Sequence, residues 1–88
     1  MRITVEISLY PLQEQYLDKI ESFIGELRRA RGLELVVNQM STQLRGELGD
    51  VMAALEAAMR QSFGDATPEV LVAKFLNADL PIRETPQV

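Results

Sequence analysis

Between Ile3 and Leu9 every second residue is apolar. Ile3, Val5, Ile7 and Leu9 fall on one side, and Thr4, Glu6, Ser8 and Tyr10 on the other. This period-two pattern predicts a strand over residues 2–10 with one buried face. Pro11 closes it, because proline has no N–H for the ladder. At Leu12 the period changes. Leu12, Tyr16, Leu17, Ile20, Phe23, Ile24 and Leu27 recur at steps of three and four, the apolar stripe of an amphipathic helix. Glu14 and Asp18 come early while Arg28, Arg29 and Arg31 come late, complementing the helix dipole. Gly32 supplies the left-handed stop.

Leu33 to Val37 is short, apolar and branched, and predicts a second strand. Asn38-Gln39 carries turn chemistry, and Ser41 to Leu48 predicts a third strand that closes a hairpin with the second. Gly49-Asp50 opens a second helix, with Asp50 as the expected cap. Its stripe of Val51, Met52, Leu55, Ala58, Met59 and Phe63 runs to about residue 63. Residues 64–68, Gly-Asp-Ala-Thr-Pro, are a loop. Val70 to Leu76, interrupted by Lys74, predicts the last strand. Residues 1–80 form one domain, and 81–88, with Pro81 and Pro86, an extended or partly disordered tail. The order is strand, helix, strand, strand, helix, strand. It predicts an α+β chain with the ferredoxin-like βαββαβ architecture: a four-stranded antiparallel sheet with two helices on one face.

Composition narrows the function more than the fold. Eighty-eight residues allow one domain with a marginal core. Cysteine and histidine are both absent. Disulfides, thiol nucleophiles, thiolate zinc sites and imidazole acid–base chemistry go with them. The net charge of −4 disfavours nucleic acid and mildly favours a cationic ligand. The first residues carry a charge inside their apolar run and show no cleavage pattern, so no signal peptide is expected. No segment reaches the roughly 18 apolar residues of a membrane span. A cytoplasmic location is the expectation, which the lack of cysteine suits.

Signatures of catalysis are missing as well. There is no Gly-rich phosphate loop, no G-x-S-x-G and no metal-ligand spacing, so no metal, cofactor or enzymatic activity is expected. Glu6, Glu34 and Glu47 are the carboxylates that could assemble, and nothing in their spacing recommends it.

Two helices cover only one side of such a sheet, so the other side must be polar, bound to a ligand, or packed on another subunit. Glu6, Arg45 and Lys74 on that side are the expected interface residues. Arg45 can pair with Glu47 at the strand end or with Glu6 across the sheet, and Lys74 can snorkel or find a carboxylate. Ser8-Leu9-Tyr10-Pro11 reads in two ways. It is either a plain strand end with Tyr10 packed at an edge, or a hydroxyl and a stacking ring offered to a flat heterocycle. Asn38-Gln39-Met40-Ser41-Thr42 is either a turn held by its own side chains or a set of amides and hydroxyls able to read an aminopyrimidine.

The pair Ile7-Ser8-Leu9-Tyr10-Pro11-Leu12 and Met40-Ser41-Thr42-Gln43-Leu44-Arg45-Gly46, followed by Asp50-Val51 at a helix start, resembles the YkoF-like thiamine/hydroxymethylpyrimidine-binding family. The resemblance runs from about residue 3 to 77. It implies a ferredoxin-like fold and binding, without turnover, of thiamine or its pyrimidine precursor. It implies Ser8, Tyr10, Gln39, Met40, Ser41 and Thr42 as the ligand-binding positions. The family's two-domain form joins two such units in one chain, so a homodimer or dimer of dimers is expected to recreate that arrangement here. The alternative is a structural or regulatory oligomerisation domain without such a ligand.

Overall fold

The computed structural model describes residues 1–86. Its elements run β1 (Arg2–Pro11), α1 (Tyr16–Arg28), β2 (Glu34–Val37), β3 (Thr42–Glu47), α2 (Leu48–Ser62) and β4 (Glu69–Leu76). The sheet order is β2-β3-β1-β4 and all three pairings are antiparallel. This is the expected βαββαβ fold.

The alternation in β1 decides which side is roofed. Ile3, Val5 and Ile7 are buried, and with Phe23 and Leu27 of α1, Leu44 of β3, and Val51, Ala54, Leu55 and Ala58 of α2 they form the core. The alanines keep that face of α2 small where it meets the sheet and α1. Gly46 is needed for a different reason. A Cβ there would stand 2.5 Å from the Leu33 side chain and 3.0 Å from the Gly32 carbonyl oxygen. The chain therefore passes from α1 into β2 directly against β3. Gly32, at φ 79°, makes the expected left-handed stop.

Three expectations change. The α1 stripe starts at Leu12, but the helix starts at Tyr16. The Leu12 N–H donates to the Pro68 carbonyl at 3.0 Å, which continues the β1–β4 ladder one residue past Pro11 and delays the turn into the helix. Asp50 does not cap α2. The helix begins two residues earlier, with extended Glu47 at its N-cap and no side-chain cap, and Asp50 lies inside the first turn, where its charge favours the dipole. The Leu48 N–H is satisfied by the Met1 carbonyl at 2.9 Å.

The third change concerns the chain's end. Residues 77–82 fold back over the unroofed side of the sheet instead of trailing away. Thr4 Oγ1 donates to the Ala78 carbonyl at 2.8 Å and accepts from the Leu80 N–H at 2.9 Å. Arg2 and Arg45 hold Asp79 at 3.0 and 3.4 Å, and Arg45 also donates to the Leu80 carbonyl at 2.5 Å. Thr4 is buried beneath this strap. Of the expected tail 81–88, residues 87–88 lie outside the described residues.

Candidate functional site

Where β1 ends, the β2–β3 hairpin turns and α1 begins, a cleft of about 530 Å³ opens. Its floor is apolar: Ile7 and Leu9 from β1, Tyr16, Ile20, Phe23 and Ile24 from α1, and Val37 from β2. Its rim is Ser8, Tyr10, Asn38, Gln39, Met40 and Ser41, with Thr42 beside Val37. An apolar floor with a few convergent polar groups is the usual build of a small-molecule site.

Local chemistry shapes the rim. The Asn38 N–H donates to the Ser41 carbonyl at 2.8 Å and closes the hairpin, so Gln39 and Met40 project from its tip. Ser8 Oγ donates to the Met40 carbonyl at 3.4 Å and ties that tip to β1. Ser41 Oγ donates to Glu6 at 3.1 Å, which leaves its lone pairs available to a ligand donor. Tyr10 is 53 % exposed. Thr42 is buried, opposite Ile7 and Val37 in the register. All six expected ligand-binding positions border this one cleft.

The other expected positions separate. Glu6 faces Gln43 on one side and Lys74 on the other, and the Lys74 ammonium lies 3.6 Å from its carboxylate. Arg45 pairs with neither Glu6 nor Glu47, correcting the sequence reading. In the register it opposes Thr4 and Glu34. Its guanidinium binds Glu34 at 3.1 Å and the strap at Asp79 and Leu80. Glu47 instead lies 3.1 Å from the Met1 ammonium. Glu6, Glu34 and Glu47 are thus on separate pairs, and none enters the cleft.

Sequence reasoning missed the α1 side of the site. Tyr16, Ile20 and Ile24 belong to a stripe that reads as core, yet only Phe23 and Leu27 of α1 are buried. Seven apolar positions recur from Leu12 to Leu27, and their spacing does not mark which of them line the cleft.

A second polar cluster supports the site from behind. Lys19 Nζ lies 2.5 Å from Asp65, 2.7 Å from the Ser62 carbonyl and 3.5 Å from Glu69, and Ser62 Oγ donates to Glu69. The Asp65 hydrogen bond holds the Lys19 ammonium above its usual pKa of 10.5. The same bond from Lys19 holds Asp65 below 3.8. This cluster ties α1 to the α2–β4 connection. It fixes the helix that carries the cleft's far wall.

A split βαβ domain with a ligand-sized cleft at one sheet end is what fold and geometry define. Residues 2–81 match the model of the YKOF-related family. The chain belongs to that family. Solved structures share its fold. A Thermotoga maritima protein named as a candidate thiamine biosynthesis/salvage protein superposes with a TM-score of 0.80, at 21 % identity over 94 % of this chain and 92 % of that one. A hypothetical protein of Methanocaldococcus jannascii gives 0.79 at 20 % identity, over 93 % and 90 %. A Streptococcus pneumoniae protein gives 0.79 at 21 % identity, over 93 % and 91 %. No curated protein matches the chain. Among the described residues no helix is long and apolar enough to cross a membrane.

Proposed function

We propose that this chain binds thiamine or a hydroxymethylpyrimidine-type small molecule in the cleft beside Tyr10, without turning it over, as a cytoplasmic homo-oligomer. One observation carries the reading: Ser8, Tyr10, Gln39, Met40, Ser41 and Thr42, thirty residues apart in two groups, meet around a single cleft. The Tyr10 ring offers a stacking surface to a flat heterocycle. Gln39, Asn38 and the serine hydroxyls offer the mixed donors and acceptors that an aminopyrimidine edge requires. The net charge of −4 favours a cation. Family membership supports the ligand class.

Calorimetric titration of thiamine and of hydroxymethylpyrimidine into the pure protein tests this. Saturable heat that weakens on Tyr10→Ala is expected. A flat trace with both ligands at millimolar concentration overturns it.

The alternative, an oligomerisation domain without this ligand, draws on the exposed apolar side chains of Val70, Val72 and Leu76 on the open sheet side. Flat titrations together with assembly that fails on Tyr10→Ala are its signature.

A further inference from the structure

Two serine hydroxyls stand on the rim of the cleft, and the proton of each is already spent inside the protein. β1 and β3 pair as far as Ile7 opposite Thr42, and the next residues along the two chains are Ser8 and Ser41. Both border the cleft. Ser41 Oγ reaches back along β1 and lies 3.1 Å from Oε2 of Glu6. Ser8 Oγ lies 3.4 Å from the Met40 carbonyl oxygen. The Lys74 ammonium lies 3.6 Å from the other Glu6 oxygen, Oε1, which leaves Oε2 to the serine.

Chemistry fixes the direction of both bonds. An ionised carboxylate and a backbone carbonyl hold no proton and can only accept. The proton in each bond is therefore the serine's own. A hydroxyl has one proton and two lone pairs, so toward anything else each oxygen is an acceptor. Asn38, Gln39 and the Tyr10 hydroxyl on the same rim behave differently. Each carries both a donor and an acceptor, and a side-chain amide exchanges them by turning over. They adapt to whichever ligand edge arrives. The two serines do not.

We infer that Glu6, acting through Ser41, sets the selectivity of the cleft: a ligand presenting N–H groups to the serine rim is taken, and one presenting a carbonyl oxygen there is refused. The selectivity rests on the aminopyrimidine reading of the same cleft and deepens it. An aminopyrimidine carries two N–H donors on its exocyclic nitrogen. Its 4-oxo counterpart carries at that place an oxygen that only accepts, and its remaining N–H lies on a ring nitrogen, displaced from that position. Lone pairs then face lone pairs. Admitting the oxo ligand costs either that mismatch or the bond from Ser41 to Glu6, and a polar group left without its partner is what makes such sites discriminate. Glu6 does not line the cleft, so it is a positioning residue.

Parallel calorimetric titrations of the full chain with thiamine and with its 4-oxo analogue test this. The wild-type chain should bind thiamine about tenfold more tightly than the oxo analogue. Glu6→Gln gives Ser41 a neighbour that can donate as well as accept, so the hydroxyl is free to turn its proton toward the cleft. The ratio should then fall to about twofold or less, chiefly through a gain for the oxo analogue. Ser41→Ala should collapse the ratio from the other side, through a loss for thiamine with the oxo analogue unchanged, and it serves if Glu6→Gln fails to fold. Equal wild-type affinity for the two ligands overturns the inference and leaves thiamine binding standing. So does a ratio that survives both substitutions, or a Glu6→Gln variant that loses both affinities in equal proportion, the mark of a merely structural role. Flat traces with both ligands overturn the ligand reading itself, and the selectivity with it.

Discussion

The two ends of β1 meet opposite fates on the same side of the sheet. At the Arg2 end, Thr4 points away from the helices and is nevertheless buried, because the strap of residues 77–82 crosses it. At the Pro11 end, Tyr10 points the same way and stays 53 % exposed beside the cleft. Nothing in the alternation of Thr4, Glu6, Ser8 and Tyr10 separates these positions. They differ in what each residue can do for a passing backbone. Threonine both donates to Ala78 and accepts from Leu80, so it can seat an extended segment without orphaning polar groups. Tyrosine instead presents a ring. A one-sided sheet can thus close one end of its bare flank with its own chain and leave the other end uncovered.

The largest effect should come from the residue that serves both core and cleft floor. Phe23→Ala should cost about 3–5 kcal/mol in urea unfolding, and it should weaken ligand binding in whatever fraction remains folded. Thr4→Val keeps the shape of the closed end and removes its hydroxyl. The Ala78 carbonyl and Leu80 N–H then lose their partner, a loss of about 1–3 kcal/mol. Hydrogen exchange at Leu80 should accelerate while titrations at the cleft are unchanged. If ligand affinity falls as well, the two ends are coupled and the comparison fails.

Tyr10→Ala probes the open end in the converse sense. Stability should shift by no more than about 0.5 kcal/mol, as for an exposed position, while thiamine affinity falls roughly tenfold, the loss of one stacking partner. The smallest effect concerns pH. Lys19, held above 10.5, contributes stability that is complete below its unfolded value and is lost as pH rises through its folded one. Asp65, held below 3.8, contributes stability that is present above its unfolded value and lost as pH falls through its folded one. Melting temperature should therefore hold across the interval between them and decline beyond each side. Asp65→Asn should flatten the acid arm.

Much of the cleft was legible in the sequence. Ser8 and Tyr10 close one strand, the hairpin residues 38–42 follow after one helix and one strand, and the βαββαβ order brings those two places to the same sheet end. The α1 wall was not legible, because Ile20 and Ile24 follow the same spacing whether they face a packed core or an open cleft. The partners of Arg45 were not legible either. Two residues of register separate Glu6 from Thr4 opposite it, and a two-residue slip keeps every side chain on its own face, so hydropathy patterning does not resolve it.

The chain's own pattern was sufficient for element types and order, for the buried face of β1 and for the stop at Gly32. These depend on side-chain period and backbone sterics, which act between near neighbours. The strap over Thr4 and the pairing of Arg45 with Glu34 and Asp79 depend on which separate segments arrive side by side. Those outcomes come from packing and register between segments 11 to 76 residues apart, and a local pattern carries no record of them.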